Sequence, residues 1–172
     1  MRVLLTGGSA CGKSTYAEQL VSALPQPRYY LATMRPYDAE SLVKIARHQQ
    51  MRRDKGFISV ERDVDVAAVE LKPGATVLLE CLCNLTANEL FDEQCAVDAA
   101  AYERILAALA SLEERCDNLV VVTNDVGSGS PDAYNTSTRH YVETLGRLNA
   151  AVAARFDEVY ELVCGIPLRL KG

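Results

Sequence analysis

Eight residues near the amino terminus constrain the fold of this chain more than any other feature. Residues 7–14 read Gly-Gly-Ser-Ala-Cys-Gly-Lys-Ser and match G-x-x-x-x-G-K-[ST], a loop whose backbone N–H groups cradle phosphates. The apolar run at residues 2–6 predicts a buried strand before the loop. Residues 14–24 carry apolar side chains at helical spacing and predict a helix after it. A strand, a glycine-rich turn and a helix in this order predict a phosphate site at the start of an α/β domain.

Each part of the loop has a chemical reason. Glycines let the backbone turn its N–H groups inward with no Cβ in the way, and the helix N-terminus adds partial positive charge. Lys13 reaches the β- and γ-phosphates as a catalytic residue, and Ser14 holds Mg²⁺. A glycine turn could match the pattern by chance, but its place between a strand and a helix argues against that. The predicted triphosphate site is Gly7, Gly8, Ser9, Ala10, Cys11, Gly12, Lys13 and Ser14.

The length of 172 residues predicts a single nucleotide-binding domain over residues 1–172. A net charge of −5 without a strong basic cluster argues against a nucleic-acid partner. One local group of basic residues is present, and it is either a solvated helix face or a set of phosphate contacts. Its members are Arg47, Arg52, Arg53 and Lys55. No apolar run approaches the length of a membrane span. We expect a cytoplasmic protein with no signal peptide and no membrane insertion.

The six cysteines are not spaced as a zinc site, because only Cys81 and Cys83 are close and no histidine lies near them. Most are expected to be core thiols. Cys11 is the exception, because a thiol at a helix N-terminus within the phosphate loop is placed to be reactive.

Strand and helix patterns alternate along the rest of the chain. This alternation predicts a P-loop NTPase-like three-layer α/β fold, with a mainly parallel sheet, helices on both faces and an antiparallel edge strand. Ligands bind such sheets at the carboxyl ends of the strands, where Thr33, Glu80, Thr123, Asn124 and Asp125 are expected. The predicted strands after the first are residues 28–32, 57–60, 76–81, 119–123, 158–163 and 166–170, and the predicted helices are residues 38–53, 64–71, 96–116 and 138–155.

Two of the remaining polar residues are candidates for chemistry. Glu80 ends an apolar strand, where a carboxylate is suited to bind Mg²⁺ with Ser14, to accept hydrogen bonds from a guanine base, or simply to face water. His48 lies on a polar helix with Arg52 one turn further along the same face. A neutral imidazole beside a cation suits a phosphoryl or nucleotidyl acceptor, although an exposed helical histidine is most often just solvated. His140 is expected at the surface near a helix start.

With these motifs in order, nearly the whole chain resembles the bifunctional adenosylcobinamide kinase / adenosylcobinamide-phosphate guanylyltransferases of cobalamin biosynthesis. The motifs after the phosphate loop discriminate most, since generic P-loop kinases lack them. The chain departs from the family at Ala10-Cys11, where arginine-serine is usual, and after His48, where a glycine and a proline are often found. The matching residues are 5–8, 13–14, 17–18, 30–33, 45–48 with 52, 79–81, 122–127, 139–140, 146–149, 157–159 and 165–166.

The resemblance implies two reactions. A nucleoside triphosphate, ATP or GTP, would phosphorylate adenosylcobinamide, and GMP would then pass from GTP through a guanylyl-histidine at His48 to give adenosylcobinamide-GDP. It also implies a homotrimer. Three alternatives stay open: a P-loop small-molecule kinase with another acceptor, a nucleotide-binding regulatory module, and a family member with only one activity. Besides the loop, the implied GTP-site residues are Thr33, Met34, Arg35, Gln49, Gln50, Met51, Arg52, Glu61 and Glu80.

Overall fold

One seven-stranded sheet organises the molecule. The computed structural model describes residues 1–36, 39–52, 55–92, 94–126 and 134–172, and the side chains of residues 39–41, 44, 47, 48 and 51 lie outside the described set. The strands are β1 (Arg2–Thr6), β2 (Arg28–Ala32), β3 (Phe57–Glu61), β4 (Thr76–Glu80), β5 (Asn118–Val122), β6 (Glu158–Val163) and β7 (Ile166–Lys171). The helices are α1 (Lys13–Ser22), α2 (Ala39–Arg52), α3 (Leu82–Leu90), α4 (Ala101–Arg115) and α5 (Thr136–Arg155).

The strand order is β3-β2-β4-β5-β1-β6-β7. The strands from β3 to β6 in this order pair in parallel, and β7 pairs antiparallel with β6. The predicted three-layer P-loop NTPase-like fold, with its antiparallel edge strand, is therefore confirmed. The carboxyl ends of the parallel strands share one edge of the sheet, as the prediction requires.

Two apolar layers cover the two faces of the sheet. Successive side chains of a strand point to opposite faces, so Leu78 packs with Ala17 and Val21 of α1 while Leu79 packs with Leu109 and Leu148 of α4 and α5. The central strands are buried on both faces, which explains their continuous apolar runs in the sequence. The edge strand β7 is exposed along its whole length.

The bounds of several helices differ from the prediction. Residues 64–71 form only a short 3-10 helix, Val66–Ala68, because Asp65 before it has a left-handed backbone and Val69 after it is extended. The helix predicted over 96–116 begins later, at Ala101, after the Asp98 carboxylate accepts a hydrogen bond from the Ala100 N–H at 2.9 Å. Helix α3 was not predicted at all. Residues 38 and 53, the predicted ends of the second helix, lie outside the described residues.

Among the described residues, no helix is both long enough and apolar enough to span a bilayer.

Candidate nucleotide site

The loop between β1 and α1 turns at two glycines whose backbone conformations other residues rarely adopt. Gly7 and Gly12 have φ values of 139° and 100°, which favour glycine. A Cβ atom on Gly7 would lie 2.6 Å from the carbonyl oxygen of Leu162, so no other residue fits there without a shift of β6. The N–H of Asp125 donates to the Gly7 carbonyl at 3.2 Å and ties the loop to the end of β5.

Lys13 extends across this loop from the first turn of α1. Its ammonium group donates to the carbonyl oxygens of Gly7 at 3.0 Å and Gly8 at 2.6 Å, and it also contacts the Cys11 sulfur at 3.7 Å. The side chain is 6 % exposed, so its charge is held inside the loop rather than in solvent. A buried cation and the N–H groups of a helix N-terminus together form a site complementary to phosphate.

Glu80 lies at the end of β4 and faces the loop. The Ser14 hydroxyl donates to one oxygen of its carboxylate, and the Tyr30 hydroxyl donates to the other. Tyr30 pairs in register with Leu78, two residues before Glu80, so both side chains lie on the same face of the sheet. Burial, reinforced by the Glu80 carboxylate, raises the pKa of Tyr30 far above its usual range, and the hydroxyl therefore remains a donor.

Ser14 and Glu80 form an oxygen donor set suited to Mg²⁺, which takes hydroxyl and carboxylate ligands and keeps phosphate and water oxygens as the others. The two side chains already share a hydrogen bond and both line the same cavity. The residues present thus fit the predicted ion. Over the parts of the chain that the structure describes, no three His, Cys, Asp or Glu side chains converge as a metal cluster.

The last turn of α2 reaches the same network through Arg52. Its guanidinium carbon lies 4.0 Å from the centre of the Tyr30 ring, a cation–π contact, and the side chain is buried. Arg52 also pairs with Glu61 at the end of β3, where the N···O distance is 3.5 Å. Gln49 donates to the same Glu61 oxygen at 3.2 Å. These contacts connect α2 to Glu80 at the carboxyl end of β4 by way of Tyr30.

These residues surround a cavity of about 430 Å³ at the carboxyl edge of the sheet. Most of the predicted loop lines it, as do the predicted residues Met34, Arg52, Glu61 and Glu80. Asn124, expected at the carboxyl end of its strand, lines the cavity as well. The lining residues that were not predicted are Thr15, Tyr30, Ala32, Ile45, Cys81, Asn84 and Val122.

Some predicted residues lie beside the cavity rather than in its lining. The Thr33 hydroxyl accepts from the Cys81 N–H at 2.7 Å and donates to the Cys81 carbonyl at 2.8 Å, which joins the ends of β2 and β4. Arg35 pairs with Asp63 at 2.5 Å. Partial burial by itself would raise the pKa of the Asp63 carboxyl. The hydrogen bond from Arg35 and the other interactions of the carboxylate together outweigh burial, so this pKa is lowered. Gln50 is exposed on α2.

His48 and Met51 belong to helix α2, but their side chains lie outside the described set. What the structure provides is their helical register. His48 is three residues after Ile45 and four before Arg52, and both of those neighbours line the cavity. Residues at these spacings share one face of an α-helix.

A pair of thiols lies where β4 meets α3. Cys81 is half-buried in the cavity wall, and Cys83 is buried beside Thr123 and the Asn124 N–H, which donates to its sulfur at 3.0 Å. The hydrogen bond from Cys81, with those from Thr123 and Asn124, outweighs burial and lowers the pKa of Cys83 to about 6. The same hydrogen bond, together with burial, raises the pKa of Cys81.

Several classes of nucleotide-binding protein share this phosphate loop, and comparison with protein families distinguishes between them. The model for cobinamide kinase / cobinamide phosphate guanyltransferase matches residues 3–170. The chain belongs to this family. It is 32% identical over 184 residues to the bifunctional adenosylcobalamin biosynthesis protein CobU of Salmonella typhimurium, with 99% of this chain and 100% of that protein covered. It is 33% identical over 176 residues to the bifunctional protein CobP of Pseudomonas aeruginosa, with 100% and 98% covered.

Among solved structures, the flagellar accessory protein FlaH from Methanocaldococcus jannaschii aligns with a TM-score of 0.48 and 11% identity, covering 99% of this chain and 77% of that chain. The resemblance to cobinamide kinase / guanylyltransferases predicted from the motifs is thus confirmed by the family match and the two bifunctional relatives.

Proposed function

We propose that the protein phosphorylates the aminopropanol hydroxyl of adenosylcobinamide with ATP or GTP, and then transfers GMP from GTP to the product to give adenosylcobinamide-GDP. The proposal is supported by membership of the cobinamide kinase / guanyltransferase family and by full-length similarity to two bifunctional relatives. Both reactions use one nucleotide site at the carboxyl edge of the sheet.

In the kinase reaction, the loop N–H groups and Lys13 hold the triphosphate and stabilise the charge that moves onto the leaving diphosphate. Ser14 and Glu80 would hold Mg²⁺, which when bound neutralises charge on the β- and γ-phosphates. The acceptor hydroxyl attacks the γ-phosphorus, the bond to the β–γ bridging oxygen breaks, and the hydroxyl proton leaves to solvent. The observation that supports this half is the buried Lys13 ammonium, which donates to the Gly7 and Gly8 carbonyls within the glycine loop.

In the transferase reaction, a neutral imidazole nitrogen of His48 attacks the α-phosphorus of GTP and pyrophosphate leaves. A phosphate oxygen of adenosylcobinamide phosphate then attacks the guanylyl phosphorus, and the bond to His48 breaks. Covalent catalysis splits one displacement into two. The single observation that carries this half is the register of α2, in which His48 lies between two cavity-lining residues, Ile45 and Arg52.

The remaining predicted residues would bind the GTP guanosine and its α-phosphate, with Glu80 serving either the metal or the guanine base. Arg52 supplies a buried positive charge one turn from His48. The proposed GTP-site residues outside the loop are Thr33, Met34, Arg35, Gln49, Gln50, Met51, Arg52, Glu61 and Glu80.

We also infer a homotrimer that works in the cytoplasm. The support for self-association is the exposed apolar side of β7, formed by Ile166, Leu168 and Leu170.

The transferase half is tested by incubation with α-³²P-GTP and Mg²⁺. We expect a protein-bound label that is stable in base and lost in acid, as a phosphorus–nitrogen bond requires. His48→Ala should abolish the label, and His140→Ala is the matched control because His140 is the other histidine of the chain and is exposed on α5. Equal labelling of the His48→Ala protein would contradict the assignment.

A family member with only the kinase activity is the second candidate, favoured by Ala10-Cys11 in place of the usual arginine-serine. It would convert adenosylcobinamide to its phosphate with γ-labelled nucleotide in a Lys13-dependent reaction, yet it would incorporate no label from α-³²P-GTP. Lys13→Ala tests where the kinase site lies. Phosphorylation that survives this change would place that site away from the loop.

A further inference from the structure

The turn between β6 and β7 packs directly on the phosphate loop. The N–H of Gly165 donates to the Cys11 carbonyl at 2.8 Å. A Cβ atom on Gly12 would lie 3.2 Å from the Cα of Gly165, so the two backbones are in close contact. Gly165 and the residue before it, Cys164, both have positive φ values, 80° and 50°, which fold the turn tightly against the loop.

This packing brings the backbones of two residues with free thiols close together. Cys11 is half-buried and lines the nucleotide cavity, while Cys164 is exposed on the turn. Their Cα atoms flank the Cys11–Gly165 hydrogen bond, each two covalent bonds away from one of its two heavy atoms. Disulfides join residues whose Cα atoms are about 4.4–6.8 Å apart, and one hydrogen bond with two covalent bonds on each side spans a comparable length.

We propose that Cys11 and Cys164 form a reversible disulfide that closes the nucleotide site under oxidising conditions. The Cys11 sulfur now lies 3.7 Å from the Lys13 ammonium group. A bond to Cys164 draws that sulfur toward the exposed turn and fixes the middle of the phosphate loop to β6–β7. A loop tied in this way cannot adjust its N–H groups to a triphosphate, and nucleotide binding is weakened.

The chemistry is thiol–disulfide exchange with a small-molecule disulfide such as oxidised glutathione. The exposed Cys164 thiolate attacks one sulfur, the S–S bond of glutathione disulfide breaks, and one glutathione thiolate leaves. The Cys11 thiolate then attacks the Cys164 sulfur and expels the second glutathione thiolate. Two protein thiols are oxidised by two electrons, one disulfide is reduced to two thiols, and the two thiol protons end on the glutathione produced.

The other cysteines provide the competing products. Cys81 and Cys83 are two residues apart, but Cys83 is 4 % exposed and the oxidant would have to reach it through the cavity wall. Cys116 is buried, and Cys95 is exposed away from the loop, on the segment between α3 and α4. Access to solvent therefore favours Cys164 and Cys95 over the buried thiols, and Cys164 differs from Cys95 in lying next to Gly165, whose N–H is bonded to the Cys11 carbonyl.

The experiment treats the full-length protein with oxidised glutathione, quenches free thiols by alkylation, and digests it with trypsin without reduction. We expect peptides 3–13 and 156–169, which contain Cys11 and Cys164, to appear as one cross-linked species that dithiothreitol separates. In parallel, binding of a fluorescent GTP analogue should weaken by at least about tenfold and recover on reduction.

Cys164→Ser is the decisive variant, because it keeps the loop intact and removes only the exposed partner. Its binding of the GTP analogue should equal that of the untreated protein and should resist the oxidant, whereas Cys95→Ser should remain as sensitive as the parent. Oxidant sensitivity that persists in Cys164→Ser, or a cross-link confined to Cys81 and Cys83, would overturn the proposal. The peptide map does not depend on catalysis, so it tests the disulfide independently of the transferase and kinase assignments.

Discussion

At the scale of single residues, Glu80 is held at both of its carboxylate oxygens. Ser14 approaches from the loop and Tyr30 from the neighbouring strand. Two donors fix the plane of a carboxylate, whereas one leaves it free to rotate about its last bond. Tyr30 therefore acts as a positioning residue for the proposed metal ligand, and its ring also supports Arg52 of α2.

We expect Tyr30→Phe to raise the Mg²⁺ concentration needed for half-maximal phosphorylation by about tenfold or more, because groups that orient a metal ligand typically contribute this much. The phenyl ring keeps the contact with Arg52 and the edge contact with Phe57, whose ring centre is 5.7 Å away. Thermal unfolding should therefore change little. The measurement is a Mg²⁺ titration of initial rates, and an unchanged titration curve with a lowered melting temperature would show that Tyr30 only packs the core.

Residue spacing alone predicted the site residues whose role is local, and the family resemblance supplied more distant ones such as Met34 and Glu61. The loop from Gly7 to Ser14 carries its chemistry in consecutive positions, and the cavity lining includes most of it. Tyr30 and Asn84 line the same cavity but were not predicted, because each gains its place only when separate elements come together. A tyrosine within an apolar strand has the same pattern as a core residue. Its hydroxyl partner, Glu80, lies fifty positions along the chain.

At the scale of elements, α5 depends on its first turn. Asn135 is the N-cap, and its side-chain oxygen accepts from the Thr138 N–H at 2.8 Å. Further along, Asn149 of the same helix accepts from the Thr123 hydroxyl at 2.8 Å, at the end of β5 beside the cavity. The helix thus joins a capped surface turn to the carboxyl edge of the sheet.

Replacing Asn135 with alanine should lower the free energy of unfolding by about 1 kcal/mol, because the cap hydrogen bond is lost. Asn135→Asp keeps an acceptor oxygen and is the matched control, which should retain most of the stability. Urea unfolding followed by circular dichroism measures both. Equal losses in the alanine and aspartate variants would mean that the cap contributes nothing at this position.

The sequence did not predict helix α3 because its apolar residues do not lie on one face of the helix. Helix α3 buries Leu82, Leu85, Thr86, Asn88 and Leu90, so it is covered on more than one side and lacks the polar stripe that marks a surface helix. Its N-cap, Cys81, makes no side-chain capping bond that could signal a start. By contrast, α4 has the periodic face that was predicted, with Ile105, Leu109 and Leu112 buried.

At the scale of the whole molecule, strand β6 connects the nucleotide cavity to the exposed apolar edge of the sheet. Strand β6 contacts the phosphate loop through Leu162 and pairs with β7. Strand β7 ends the sheet with one face that carries Ile166, Leu168 and Leu170 at alternate positions, 62 %, 46 % and 61 % exposed. An exposed aliphatic edge strand is prone to pair with another surface.

If β7 contributes to a homotrimer, a charge in the middle of its apolar face should dissociate it. We expect Leu168→Lys to run as a single chain of 18.8 kDa by light scattering, while the parent protein has three times that mass. Gln94→Lys is the matched control, since it adds the same charge at an exposed position away from β7. Leu168 is half-exposed and outside both apolar layers, so the fold itself should survive the change. A trimer that persists in Leu168→Lys would require an interface elsewhere on the molecule, and a parent protein that is already monomeric would remove the reason to assign one.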